Sequence, residues 1–137
     1  MDASTETTCR EMIATAREKL RAAEELTRAG FFNDSLSRAY YAAFHAVSML
    51  LFLKGLSFSK HGQVLGAFNK EFVATGILPS ALGKAIGNLF DERQSADYDV
   101  FQEASNDDAS SGIADARAII EAACQTAATL YGLRIED

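Results

Sequence analysis

The chain has 137 residues and a mass of 14.8 kDa, with 48% hydrophobic and 23% charged residues. That size suits a single domain, residues 1–137, around one core, and the balance excludes a disordered chain. The net charge of −6 excludes a protein that coats nucleic acid nonspecifically. The acidity is uneven. Residues 1–35 carry 5 basic and 7 acidic groups, residues 36–93 carry 6 and 3, and residues 94–137 carry 2 and 9. The middle of the chain is therefore mildly basic and leaves room for a small anion site.

A single proline among abundant alanines favours helices over a turn-rich sandwich. The first predicted helix covers about residues 5–29, with Ile13, Ala16, Leu20, Ala23 and Leu26 at three- and four-residue steps. Gly30 stops it. The second is expected to open at Asn33 or Asp34 as the cap. Its stripe is Leu36, Tyr40, Ala43, Phe44, Val47, Leu50 and Leu51, and it ends near Gly55. As the most apolar helix it belongs at the centre of the core. The third, about 60–74, places Val64, Leu65, Phe68, Phe72 and Val73 on one side and stops at Gly76. Pro79 restarts the chain into a fourth helix marked by Leu82, Ala85, Ile86, Leu89 and Phe90, ending near Ala96. A loop is expected over 97–105. Asn106, Asp107 and Asp108 are expected to cap a fifth helix with stripe Ile113, Ala116, Ile120, Ala123, Ala127 and Leu130, followed by Gly132. No segment alternates as a strand does. The fold class is all-α, an up-and-down bundle of four to five helices.

The longest apolar run, 46–53, is too short to span a bilayer, and the acidic N-terminus is unlike a signal peptide. No membrane association is expected. Cys9 and Cys124 are lone thiols without metal-ligand spacing, as expected of a reduced, cytoplasmic protein. The chain has no P-loop, no C-x-x-C and no H-E-x-x-H, so neither a metal nor another cofactor is expected.

The second helix carries the residues with chemistry. Arg38 and His45 are seven apart, about 20° short of two full turns, so they share a face, with Tyr41 between them. A guanidinium and an imidazole on an apolar helix are costly unless something occupies them. The nearby cation is expected to hold His45 in its neutral form, which can act as a base. The plainer alternative is that Arg38 pairs with an acidic neighbour and His45 packs as a half-buried ring. His61, at the start of the third helix, reads as a cap or a packing group. Arg93 with Asp97 reads either as an exposed ion pair or as a phosphate contact beside Arg38. Tyr98 reads as a packing residue, and Asp107, Asp108 and Asp115 as groups flanking the fifth helix.

The stretch 37–54, SRAYYAAFHAVSMLLFLK, with the later HGQV at 61–64 and RQSADYD at 93–99, resembles the HEPN domain family of prokaryotes. The arginine, six intervening residues and the histidine fit that family's R-x(4–6)-H motif, and 93–98 is similar to its R-x-x-A-D-Y segment. The resemblance covers nearly the whole chain. It implies a helical bundle that dimerises with the motif helices of two subunits facing each other. It also implies a metal-independent endoribonuclease, often the toxin of a pair whose antitoxin is a small nucleotidyltransferase. Arg38 and His45 would then be the catalytic pair, with Tyr41 and Arg93 binding substrate. RNA or a nucleotide, not DNA, would be the ligand. Ala39 follows the motif arginine where active members often have a polar residue. Val47 stands where an H-x-Y tyrosine would, so adenylate modification there is not expected. The alternative is a non-catalytic module that binds nucleotide or RNA, or cements a complex with the transferase.

Overall fold

The computed structural model describes residues 1–98 and 103–136. Among them are five α-helices: α1 (Ala3–Arg28), α2 (Phe32–Leu53), α3 (His61–Phe68), α4 (Ser80–Tyr98) and α5 (Asn106–Tyr131). A π turn at Asn69–Val73 continues α3, and no strand occurs among the described residues. The chain folds as an all-α bundle.

The expected stripes form the core, except that Leu130, placed on the stripe of α5, is exposed. Ile13, Ala16 and Ala23 of α1 are fully buried, with Leu20 close behind, and Leu36, Tyr40, Ala43, Val47, Leu50 and Leu51 of α2 are sealed between neighbours. α2 touches α1, α5, α4 and α3, which makes it the central helix. Ala39, Ala42, Ala43 and Ala46 have no exposure at all, so a column of small side chains lets α2 sit close to its neighbours. By length and composition α2 could also cross a membrane, contrary to the reading of 46–53, but 56% of its apolar window is buried inside the bundle.

Direction follows from the contacts. The short turn at 29–31 folds α2 back on α1. α4 runs antiparallel to α2, because Ser37 meets Asp97, Tyr41 meets Arg93 and Tyr40 meets Phe90. One polar contact crosses the interior between α1 and α2: Ser35 Oγ donates to the Ala23 carbonyl at 2.9 Å and lies 2.7 Å from Thr27 Oγ1. The carbonyls of Arg134 and Glu136 accept hydrogen bonds from Arg10 and Arg17, tying the segment after α5 along α1.

Several caps differ from expectation. α2 begins at Phe32 and has no side-chain cap; Asn33 lies inside its first turn and instead accepts from the Ala104 amide at 2.8 Å. Ser105, not Asn106, caps α5, in a reciprocal box with Asp108. The π turn was not legible, since Phe68 and Phe72 remain on the buried side whether or not the winding widens between them. Gly30, Gly55, Gly76 and Gly132, expected at or after helix ends, all have positive φ. Gly112 serves a different purpose. A Cβ there would meet Leu36 Cδ2 at 2.7 Å and Leu89 Cδ2 at 3.4 Å, so its absence allows α5 to approach α2 and α4. Asp97 and Tyr98 extend α4 into the expected loop, while residues 99–102 and the Tyr98 side chain lie outside the described residues.

Candidate active site

Beside its alanine column, α2 presents Arg38, Tyr41, His45, Ser48 and Phe52, one above another at three- and four-residue steps. Arg38 is exposed, and the other four are half-buried. Packing on the alanine side fixes this strip in place, and the bundle leaves it partly uncovered.

His45 is held below its ordinary imidazole value, first by burial and then by Lys19 on α1. The neutral form is therefore favoured, as expected, but the cation responsible is Lys19 and not Arg38. The Arg38 guanidinium stands in water, where its field is screened. Among the described residues no carboxylate pairs with Arg38, so the alternative of an acidic neighbour finds no partner there.

Arg93 and Tyr41 come together from α4 and α2. Arg93 Nη2 donates to Tyr41 Oη at 2.9 Å, and the guanidinium carbon lies 5.2 Å from the Tyr41 ring centre and 5.7 Å from that of Tyr40. Its Nε stands 2.9 Å from Asp97 Oδ2, an ion-pair contact without hydrogen-bond alignment. Asp97 Oδ1 in turn accepts from Ser37 Oγ at 2.7 Å. The Arg93 side chain is only 17% exposed. The pair is thus not the exposed ion pair expected, because the guanidinium is sandwiched against two phenol rings. Any phosphate reaching Arg93 competes with Asp97.

Of the two readings of His61, a cap or a packing group, the structure supports the second. Its backbone starts α3, but its side chain caps nothing. Nδ1 lies 2.8 Å from Tyr40 Oη, and the ring stacks on Phe44 at 4.3 Å and 23°. Tyr41 meets it edge-on at 5.8 Å, and Phe44 also touches His45, with ring centres 6.0 Å apart. Burial and then Arg93 hold His61 below the ordinary imidazole value. Tyr40 carried the signal: a tyrosine on the most apolar stripe has a hydroxyl that needs a partner.

Away from this strip, Cys9 is buried and burial pushes its thiol up, which suits an inert packing residue. Asp108 serves the α5 cap, in keeping with the reading of that acidic cluster. Among the described residues no three acidic, histidine or cysteine side chains gather to hold a metal.

The sequence pattern of the HEPN domain family matches residues 9–127. A UPF0332 protein of Thermotoga maritima is 41% identical over 107 residues, 78% of this chain and 81% of its own length. A Methanocaldococcus jannaschii protein that its name proposes to be a toxin is 37% identical over 98 residues, 72% of this chain and 67% of its own. A second protein of that organism, named in the same way, is 37% identical over 87 residues, 64% of this chain and 65% of its own.

Proposed function

The chain belongs to the HEPN domain family, with toxin-like relatives, and from that premise we propose that it is a metal-independent endoribonuclease acting as the toxin of a toxin–antitoxin pair. The observation that carries this reading is the juxtaposition on one strip of α2. An exposed guanidinium with no carboxylate partner among the described residues, Arg38, stands two turns from a half-buried imidazole held neutral, His45.

The chemistry needs only those groups and the substrate. The 2′-hydroxyl of RNA attacks the adjacent phosphorus once a base takes its proton; the P–O5′ bond breaks, and the departing oxygen takes a proton from an acid. Neutral His45 serves as the base, and His45 of a second copy serves as the acid after it has taken up a proton. Arg38 holds the scissile phosphate and offsets the charge that builds on its oxygens, a role suited to a forked cation. Tyr41 lines the path between them, and Arg93 orients Tyr41. This scheme places the α2 strips of two copies against each other in a homodimer. The half-buried Tyr41, His45 and Phe52 supply the surface for that contact. We further propose that residues 1–137 act as one cytoplasmic domain, with RNA as substrate and a small nucleotidyltransferase as antitoxin.

The second reading, a module that binds RNA or nucleotide without cutting it, is favoured by Ala39 after the motif arginine and by Asp97 already occupying Arg93. Incubation with RNA in excess chelator separates the two. The ribonuclease reading requires fragments with 2′,3′-cyclic phosphate and 5′-hydroxyl ends. Binding without cleavage, or fragments with 5′-phosphate ends, overturns it.

A further inference from the structure

Tyr40 has no exposed surface, and burial keeps its phenol protonated far above the ordinary range. Its O–H needs an acceptor, and among the described residues its hydrogen-bond partner is His61 Nδ1 at 2.8 Å. Nδ1 therefore accepts, and the single proton of the neutral ring sits on Nε2. The ring has little freedom. Phe44 stacks on it at 4.3 Å, Tyr41 meets it edge-on at 5.8 Å, and Tyr40 grips one nitrogen. The side chain is only partly buried, and Nε2 has no hydrogen-bond partner among the described residues. Tyr41 also lies between Arg38 and His45 on α2. Phe44 touches both His45 and His61, so the imidazole of α3 borders the strip that Arg38 and His45 share.

We propose that His61 is a further residue of the site: its Nε2–H, set by Tyr40 behind it, donates a hydrogen bond to a non-bridging oxygen of the scissile phosphate. This rests on the ribonuclease reading. Tyr40 is a positioning residue, acting only through His61. The role is that of a neutral donor and not of an acid or base, because the free nitrogen already carries its proton and a neutral imidazole gives it up too reluctantly. The bond strengthens as negative charge accumulates on the phosphoryl oxygens, so it favours the transition state over the bound substrate. Burial, and then Arg93 beside the ring, act against imidazolium and keep the donor neutral.

The decisive comparison is His61→Ala against His61→Gln, each checked for helical content. Loss of one such donor slows single-turnover RNA cleavage by about 10²–10³-fold. Gln restores an N–H without any acid–base capacity, so His61→Gln stays within about tenfold of wild type and keeps its pH–rate profile. Gln as slow as Ala, or Ala as fast as wild type, overturns the proposal. Nitrogen NMR of the imidazoles gives a readout apart from activity. Wild type shows His61 protonated at Nε2, Tyr40→Phe shows a mixture of tautomers, and 2′-O-methyl RNA, which cannot be cut, shifts the wild-type Nε2–H. A proton on Nδ1 in wild type, or no shift with that RNA, overturns it too. If wild type cleaves no RNA, the ribonuclease reading falls by itself. The Nε2–H shift then decides whether His61 is a phosphate donor in a binding module.

Discussion

The two sides of α2 are built to opposite rules. On one side the helix shows Ala39, Ala42, Ala43 and Ala46, all without exposure, and Ser35, whose buried hydroxyl is bonded to α1. On the other side it shows aromatic, basic and imidazole groups whose contacts reach α3 and α4 and stay partly open. Small side chains on the first side bring helices close and fix the backbone. Large polar ones on the second are then held in place by a frame they do not have to build. Stability is concentrated on one side of the helix, and the proposed chemistry on the other.

Substitutions on each side test that division. After His45 itself, the largest effect is expected at Arg38. Arg38→Ala slows RNA cleavage by about 10²–10³-fold, yet leaves the melting temperature within a degree or so of wild type, because an exposed guanidinium contributes little to folding. A melting temperature that falls along with activity would erase the difference between the two sides.

Ala43→Leu is the converse test. Its extra carbons have no room in a fully buried position, and overpacking of this kind costs about 1–3 kcal/mol. Denaturant unfolding measures that loss, and the protein that remains folded should cut RNA at a near-normal rate. Unchanged stability would mean that the alanine column is not closely packed.

The smallest expected effect is on pH dependence. His45 and His61 both titrate below the ordinary value of 6.5 when folded. The stability linked to their neutral forms is complete above that value and is lost as pH falls through the folded ones. Glu92 and Asp115 work in the opposite sense. Burial raises both carboxyls, so their contribution is present at low pH and fades as pH rises through the folded values. Melting curves at pH 7.5 and 5.5 check this. Replacing both histidines by glutamine should shrink the drop seen in wild type, whereas an equal drop in both proteins assigns the effect to other groups.

The helices were legible because their stripes are regular and glycines punctuate them. Ile13, Val47 and Ile120 lie where a 3.6-residue period puts them. The strip of Arg38, Tyr41 and His45 was legible from the same arithmetic. What escaped the sequence depends on partners far along the chain. Lys19 acts on His45 from another helix, Asn33 finds the amide of Ala104 instead of capping α2, and Tyr40 finds His61. Arg93 looked like an exposed partner of Asp97, because i,i+4 spacing says nothing about two tyrosines arriving from α2. Periodicity assigns a residue to a face; only packing says what that face meets.

If the open side of α2 carries the proposed chemistry and the closed side only supports it, removing His45 must cost activity and not stability. Single-turnover cleavage of end-labelled RNA by wild type and His45→Ala, with melting temperatures taken on the same samples, tests it most directly. His45→Ala should melt like wild type and cut about 10²–10⁴-fold more slowly, the range expected for removing an acid–base group. Cleavage that persists at the wild-type rate in the folded variant would contradict it.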